Sequence, residues 1–309
     1  MSPEFDQIVP VSARIEKLAG SFGFVEGPIW VHSGYLLFSD IPRNVILKWM
    51  PNGQVSIFLH KSGFAGQVVR PIPTVIPLDH LTDYLIGSNG LTLDQDGRLI
   101  ICEHGNRRVE RLERDGRRTI LADHFEGKRL NSPNDIVVKR DGSIYFTDPP
   151  YGLPKMDADP QKELPFNGVY RIAGNKLEVL TRDMSAPNGL AFTPDEKYLY
   201  IDDSVKKNIL RYEVQPDGTL ANAQVFADLS KTGIEGVPDG MKVDTKGNVY
   251  CAGPDGIWVI SPDGRKLGVI RPPEVPANLN WGDGDAKTLY MTARTGLYSI
   301  RLNVPGIRP

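Results

Sequence analysis

The sequence predicts an all-β fold, a six-bladed β-propeller, and three observations support this prediction. A polar residue followed by an apolar run, a turn and a second apolar run recurs along the chain. Several of the turns carry residue pairs typical of hairpins, such as Asp141-Gly142. The leading polar positions are 26, 89, 134, 188, 239 and 278, and their five intervals average about 50 residues. Six strand-rich units of this length are typical of propeller blades.

We expect one propeller domain over residues 1–309, with repeats beginning near the six leading positions. The last repeat, 278–302, contains only about three strands. The alternating segment 13–18 is therefore predicted to close the ring, because an unpaired sheet edge invites aggregation. Residues 60–88 are too long for a hairpin loop and predict a lid over a pocket, with packing on a blade face as the alternative. The insertion 149–168 has the composition of a surface loop.

Composition and charge limit the classes of partner. Hydrophobic residues make up 40% of the chain and charged residues 24%, as in ordinary globular proteins. A net charge of −2 gives no reason to expect nucleic acid or an anionic membrane. The sequence has no apolar stretch long enough to span a bilayer, and its N-terminus lacks the pattern of a signal peptide. We expect a small-molecule substrate, no nucleic-acid or membrane partner, a monomer or small homo-oligomer, and a cytoplasmic or periplasmic location.

Three other features are predicted to be structural. Cys102 and Cys251 fall in equivalent strands of distant repeats, so both are predicted to be reduced core residues. The arginines between 107 and 118 alternate with Glu110 and Glu113, which predicts the solvated face of an outer hairpin. Three aspartates that end second strands are predicted to accept turn or inter-blade hydrogen bonds: Asp40, Asp148 and Asp202.

The repeat brings its leading polar residues together. Inner strands of a propeller start at the same face, so equivalent residues converge at one end of the central channel. The converging set contains two carboxylates and four carboxamides: Glu26, Asn89, Asn134, Asn188, Asp239 and Asn278. Oxygen donors without His or Cys favour Ca²⁺, Mg²⁺ or Mn²⁺, and two carboxylates balance one divalent cation. The alternative is that these side chains only make Asx-type turn hydrogen bonds.

Several motifs, in this order, resemble the gluconolactonase/SMP-30/luciferin-regenerating-enzyme family. They are Phe24-Val25-Glu26-Gly27-Pro28-Ile29-Trp30, Asn131-Ser132-Pro133-Asn134-Asp135, Phe146-Thr147-Asp148-Pro149-Pro150-Tyr151-Gly152, Pro187-Asn188-Gly189-Leu190 and Pro238-Asp239-Gly240. The similarity covers about residues 15–302, and residues 103–108 resemble the bacterial gluconolactonase branch. One departure is Ser132, where the animal regucalcin branch has Arg, so substrate contacts of that branch are not carried over.

The resemblance implies a six-bladed propeller that holds one divalent cation in its axial pocket. Ca²⁺ is the first expectation, with Mg²⁺, Mn²⁺ and Zn²⁺ as alternatives. The implied ligands are Glu26, Asn134, Asn188 and Asp239, and Asp239 is also the implied general base. The implied reaction is metal-dependent hydrolysis of a lactone, most often a sugar lactone, in which the cation polarises the carbonyl.

Four more residues are expected to line the pocket and to bind sugar hydroxyls or move the leaving-group proton: Asn89, His104, Asn131 and Tyr151. For His104, a structural role after a strand is the alternative. Two other functions remain open, namely hydrolysis of organophosphates or aryl esters at the same site, and a calcium-binding propeller without turnover. The sequence contains no serine-hydrolase elbow, zinc-protease motif or phosphate-binding glycine loop.

Overall fold

The computed structural model describes residues 2–66, 84–230, 234 and 236–308. Within these residues the strands form six four-stranded antiparallel sheets and one two-stranded ribbon. The inner strands of the six sheets contact one another in a closed cycle, so the sheets are the blades of a propeller and the predicted fold class is confirmed. Most of the predicted lid at 60–88 falls on residues 67–83, which lie outside the described residues.

A short helix, α1 (Pro3–Ile8), precedes strand β1 (Glu16–Ala19). Ser2 caps the helix, because its hydroxyl accepts a hydrogen bond from the Phe5 amide at 3.2 Å. Phe5 and Ile8 are buried in a core shared by the last two blades. A six-residue helix is too short to show an amphipathic period, and it was not predicted.

The first three blades follow in chain order. Blade one contains β2 (Val25–Val31), β3 (Tyr35–Asp40), β4 (Val45–Trp49) and β5 (Val55–His60). Blade two contains β6 (Ser88–Leu93), β7 (Leu99–Glu103), β8 (Arg108–Leu112) and β9 (Arg118–Ala122). A ribbon of β10 (His124–Phe125) and β11 (Lys128–Arg129) leads to blade three. Blade three contains β12 (Ile136–Val138), β13 (Ile144–Asp148), the 3₁₀ helix Met156–Ala158, β14 (Asn167–Ala173) and β15 (Lys176–Met184).

The last three blades repeat the same antiparallel order. Blade four contains β16 (Pro187–Phe192), β17 (Tyr198–Asp203), β18 (Asn208–Val214) and β19 (Leu220–Asp228). Blade five contains β20 (Met241–Val243), β21 (Val249–Gly253), β22 (Gly256–Ile260) and β23 (Lys266–Ile270). Blade six contains β24 (Pro276–Gly282), β25 (Thr288–Ala293) and β26 (Gly296–Arg301).

The N-terminal strand closes the ring, as predicted. β1 pairs antiparallel with β26, with Glu16 opposite Ser299 and Lys17 opposite Tyr298. Blade six therefore consists of three C-terminal strands and one N-terminal strand. The pairing residues are 16–19, whereas the predicted segment was 13–18, because Ala13 and Ile15 pack against the core instead of joining the sheet.

The core lies between neighbouring blades, where the faces of successive sheets meet. Tyr145 of blade three contacts Phe192 of blade four edge-on, with ring centroids 5.0 Å apart. Both cysteines are free and fully buried, Cys102 against blade three and Cys251 against blade four, which confirms that they are reduced core residues. Apolar burial between blades supplies most of the favourable free energy that holds such a ring together.

Two surface predictions need correction. Arg107 is buried rather than solvated, and its guanidinium donates to the backbone oxygens of Leu130 and Asn131. The insertion 149–168 is also more than a surface loop, because its two leucines, Leu153 and Leu164, are 3% and 2% exposed. Charge and loop composition predicted exposure in both places, but tertiary packing determined the outcome.

Candidate active site at one end of the central channel

Each blade presents one polar side chain near the start of its inner strand. Four lie within strands and two lie just before them: Glu26 in β2, Asn89 in β6, Asn188 in β16, Asn278 in β24, Asn134 before β12 and Asp239 before β20. The pairing register shifts beside the polar residue in blades one, two, four and six. Such irregularities bend a strand and redirect side chains, and they are frequent next to active sites.

Glycine follows the polar residue in four blades because the next blade leaves no room for a side chain. A Cβ would lie 2.2 Å from the Asn89 carbonyl oxygen at Gly27, 2.5 Å from the Asn134 carbonyl oxygen at Gly90, 2.3 Å from the Asp239 carbonyl oxygen at Gly189, and 2.0 Å from the Asn278 side chain at Gly240. Each glycine therefore allows close contact with the polar residue of the following blade. The recurring polar-Gly pair is explained by this packing around the ring.

Glu26 is buried in the ring, with 2% of its surface exposed. Its Oε2 accepts a hydrogen bond from the Gly27 amide at 2.6 Å. The Asn278 side chain also donates a hydrogen bond to the Glu26 carboxylate. Burial is the main reason that the pKa of Glu26 rises to about 7, and the nearby Asp135 charge raises it further. Glu26 is therefore a carboxyl group whose charged form needs a cation close by.

Asp239 lies near Glu26 and is half-buried. Its enclosure by protein raises its pKa well above the usual range, and repulsion from Glu26 adds to this. The Asn188 side chain donates a hydrogen bond to the Asp239 carboxylate and partly offsets the shift. The structure thus brings together three of the four predicted metal ligands.

The fourth predicted ligand, Asn134, joins the same ring through its backbone. Its carbonyl accepts from the Gly90 amide at 2.8 Å, and its own amide donates to the Thr147 carbonyl at 2.8 Å. The residue is 4% exposed. Asn134 is therefore fixed between blades two and three at the level of the other polar residues.

Ser204 holds the Asn188 amide and was not predicted. The Nδ2 atom of Asn188 donates to the Ser204 Oγ at 3.2 Å, and that hydroxyl donates to the Pro238 carbonyl at 2.7 Å. Because Nδ2 serves both Ser204 and Asp239, the Asn188 Oδ1 is left as an acceptor for another group. A serine after the second strand carries no distinctive pattern, so the sequence offered no signal for it.

The ion pair between Asp135 and Lys242 was also missed. Asp135 is 2% exposed, and its Oδ2 lies 3.6 Å from the Lys242 Nζ. The other oxygen, Oδ1, accepts from the Ile136 amide at 2.8 Å. Asp135 was not among the predicted site residues, yet its charge acts on Glu26 inside the channel. A lysine between two apolar residues of the short inner strand Met241–Val243 was the available signal.

The three aspartates predicted to accept turn or inter-blade hydrogen bonds are buried and accept such bonds. Asp40 accepts from the Gly23 amide at 3.0 Å, and Asp148 accepts from the amides of Asn131 and Ser132, each at 2.8 Å. In blade four this position belongs to Asp203, which accepts from the Ser185 amide at 2.7 Å. Asp202 is fully buried beside Asp239, and the two carboxyl groups repel each other. It accepts from the Gly189 amide of its own blade and, at 3.9 Å, from the Cys251 thiol of blade five.

The predicted substrate residues fall into two groups. Asn89 and His104 contact each other, with 3.1 Å between Nδ2 and Nε2. Tyr151 is half-buried, and the charge of Asp239 is among the influences that raise its pKa, after desolvation. The amide nitrogen of Asn131 instead serves the loop, because it donates to the backbone oxygens of Asp148 and Phe166. The main contacts of the Asn131 side chain are therefore with the insertion rather than with the pocket.

A cavity of about 290 Å³ lies at the other end of the channel. It is lined by later residues of the inner strands, such as Leu93 and Phe192, and by charged residues that include Lys139, Glu196 and Lys242. None of the six polar residues lines it. Since chemistry needs convergent polar groups, the ring of polar residues is the better candidate for an active site.

Known proteins that resemble this chain in sequence or fold include gluconolactonases and a regucalcin. The gluconolactonase of Zymomonas mobilis is 37% identical over 99% of this chain and 86% of its own length. A solved gluconolactonase from Xanthomonas campestris is 32% identical, covers 98% of this chain and 93% of its own, and superposes with a TM-score of 0.83. A calcium-binding regucalcin from Agrobacterium tumefaciens shares the fold, with 19% identity, 97% coverage of each chain and a TM-score of 0.72. A sequence profile of the SMP-30/Gluconolactonase/LRE-like region matches residues 24–295, so the chain belongs to the SMP-30/gluconolactonase/LRE-like family.

Proposed function

We propose that this protein is a lactonase that opens sugar lactones, as a gluconolactonase does. The observation that carries the proposal is the pair of enclosed carboxyl groups, Glu26 and Asp239, held among amide side chains at one end of the channel. Similarity to gluconolactonases over nearly the whole chain supports the same reaction class. The product is the open hydroxy acid, formed by addition of one water molecule.

The donor set fits one divalent cation, with Ca²⁺ as the first choice. Glu26 and Asp239 repel each other and both have raised pKa values, so a cation between them would relieve an unfavourable charge arrangement. The Asn188 Oδ1, on the amide whose Nδ2 donates to Ser204, supplies a neutral oxygen donor, and Asn134 lies at the same level. In the described ranges 2–66, 84–230 and 236–308, His, Cys, Asp and Glu alone form no group of three that could hold a metal. The proposed site therefore depends on amide oxygens, which suit Ca²⁺ better than zinc.

In the proposed mechanism Glu26, Asn134, Asn188 and Asp239 hold the cation, which when bound polarises the lactone carbonyl and stabilises negative charge on its oxygen. Asp239 takes a proton from water as the water oxygen bonds to the acyl carbon. The ring C–O bond then breaks, and the leaving oxygen receives a proton, which Asp239 is placed to return.

Two neighbours support these roles. The Asn188 amide orients the Asp239 carboxylate through a hydrogen bond, so the base keeps one direction during the reaction. Tyr151 stays protonated because burial raises its pKa, and its hydroxyl remains a hydrogen-bond donor. We propose that Tyr151 donates to the substrate beside Asp239.

The test is a pH-indicator assay of lactone hydrolysis after chelation, with Ca²⁺, Mg²⁺, Mn²⁺ and Zn²⁺ added back separately. Glucono-δ-lactone, an aryl ester and a phosphotriester are compared on the same preparation. We expect the lactone to be the best substrate, activity to disappear on chelation, and Ca²⁺ to restore it best. Faster turnover of the phosphotriester or aryl ester would replace the proposed substrate class. Metal binding without turnover of any substrate would identify a non-catalytic calcium-binding propeller.

A further inference from the structure

We infer that the side-chain oxygen of Asn89 accepts a hydrogen bond from a substrate hydroxyl, and that His104 holds the Asn89 amide in the orientation that makes this contact. The inference rests on the proposed lactone hydrolysis and extends it to substrate choice. It concerns the hydroxyl groups of the lactone rather than its reacting ester. His104 is then a positioning residue rather than a carrier of protons.

The backbone of Asn89 is fixed on both sides. Its carbonyl oxygen accepts from the Ser39 hydroxyl at 2.8 Å, and a Cβ on Gly27 would lie 2.2 Å from the same oxygen. The side chain is also enclosed, since the residue is 5% exposed. Asn89 therefore has little freedom to move toward or away from the ring of polar residues.

His104 occupies the nitrogen of the Asn89 amide. The two side chains meet at 3.1 Å between Asn89 Nδ2 and His104 Nε2, and His104 is fully buried. Its backbone is held by the Gly87 carbonyl, at 3.1 Å from the His104 amide. A Cβ on Gly152 would lie 2.7 Å from the His104 Cβ, so the turn after Tyr151 packs directly on this residue.

The contact between the amide and the imidazole fixes the tautomer of the ring. The Asn89 amide nitrogen faces Nε2 and can only donate, so Nε2 accepts and the proton of the neutral ring lies on Nδ1. Among the described residues, no acceptor lies within hydrogen-bond distance and angle of Nδ1. The tautomer and the amide direction are assigned from this network, as is usual without visible hydrogens.

The result is an acceptor without a partner. Asn89 Oδ1 is buried and has no hydrogen-bond partner among the described residues. A buried amide oxygen left unpaired is unfavourable, so a native structure is expected to supply a donor. An oxygen acceptor binds a hydroxyl group but not an ester carbonyl, which itself offers only acceptors. A polyhydroxylated lactone therefore matches this atom better than a ring without hydroxyls.

His104 is unsuited to proton transfer. Burial lowers its pKa to about 4, so the ring remains neutral near neutral pH. Its Nε2 is already engaged by Asn89, which leaves no lone pair facing a substrate. Geometry and charge therefore agree that the ring orients the amide.

The experiment compares two substrates that share a ring size, glucono-δ-lactone and δ-valerolactone, and measures the ratio of their kcat/KM values. Asn89→Leu keeps the side-chain shape and removes the acceptor, so the ratio is expected to fall about tenfold, the size of one neutral hydrogen bond. His104→Leu frees the amide and is expected to lower the ratio by a smaller factor. His104→Gln offers Oε1 to the Asn89 amide and is expected to restore most of the ratio.

Controls separate this inference from the proposed function. His124→Leu alters an exposed histidine on β10 and is expected to leave the ratio unchanged. Thermal melting of each variant shows whether it is folded, and Asn89→Ser provides a smaller polar replacement if Asn89→Leu does not fold. If the wild-type protein hydrolyses neither lactone, the proposed function fails before this question arises.

Two results would overturn the inference. Equal losses for both lactones in Asn89→Leu would show that Asn89 serves the common ester or the attacking water. Loss of one limb of the pH–rate profile in His104→Gln, with the ratio unchanged, would show that His104 moves a proton. The expected result is a pH profile of wild-type shape together with a restored ratio.

Discussion

Replacing Gly189 by alanine tests whether packing between blades positions the proposed base. The added Cβ would lie 2.3 Å from the Asp239 carbonyl oxygen, 2.7 Å from the Met241 amide nitrogen and 2.8 Å from the Asp202 Oδ2. The first two are backbone atoms of the next blade, which cannot rotate away as a flexible side chain can. Gly189 has no left-handed φ, so alanine adds a steric effect without backbone strain.

The distances set the size of the effect. Ordinary van der Waals contact begins near 3.4 Å, so the Asp239 carbonyl must retreat by roughly 1 Å from its 2.3 Å position. Overpacking of this kind costs about 1–3 kcal/mol of stability. A displacement of about 1 Å at a catalytic group lowers the rate by roughly 10²-fold. We therefore expect Gly189→Ala to lower both the melting temperature and kcat/KM for glucono-δ-lactone.

Gly284→Ala is the matched control. Its Cβ would meet nothing within 4 Å, and its φ is not left-handed. We expect this variant to match the wild-type protein in thermal melting and in lactone hydrolysis. If Gly189→Ala also matches the wild type in both measurements, the glycines do not set the position of the polar residues, and the packing argument is wrong.

Three further predictions concern the proposed base, the buried ion pair between Asp135 and Lys242, and the buried imidazole of His104. Asp239→Asn keeps the side-chain shape but removes the base, so kcat is expected to fall by about 10²–10⁴-fold with little change in melting temperature; a wild-type kcat would refute the assignment. Lys242→Met leaves the 3%-exposed Asp135 carboxylate unpaired, so the unfolding free energy measured in urea is expected to fall by about 1–3 kcal/mol. Adding Asp135→Asn should recover most of that loss, and no recovery would contradict the pairing. Because burial lowers the pKa of His104 to about 4, the unfolded chain binds a proton that the folded chain does not between about pH 6.5 and 4. The contribution of His104 to stability is therefore expected to be lost as pH drops through this window, so the wild type should lose up to roughly 3 kcal/mol relative to His104→Gln; equal slopes for the two proteins in urea titrations would contradict this.

The fold was predictable because its physical causes are local and repeated. Each blade needs two hairpins with apolar faces, and both the turns and the apolar runs are visible in the sequence. The closing strand was found by counting, since the last repeat lacks a fourth strand. Its boundary differed by a few residues because the pairing of Glu16 with Ser299 depends on contacts between the ends of the chain.

The candidate site was predictable only where the repeat carried it. Glu26, Asn188 and Asp239 occupy equivalent positions of three repeats. Equivalent positions converge at one end of the channel of a propeller, and the structure brings these three side chains together there. Their roles as ligands and base remain predictions. Ser204 and Lys242 lie outside the repeated polar position, and each acts through a partner that is distant in sequence. A pattern within single repeats cannot reveal contacts made between blades.

Asp135 shows where the ring departs from its own pattern. Four blades place glycine after the polar residue, whereas blade three places a buried carboxylate there. A second acidic group near Glu26 is unfavourable unless a cation offsets it, and Lys242 reaches it from blade five. The lysine therefore belongs to the charge balance of the site, although it is neither a proposed ligand nor a proposed base. A break in a repeated pattern that is compensated by another blade is most simply explained by function, because packing alone would favour the glycine found in four of the other five blades.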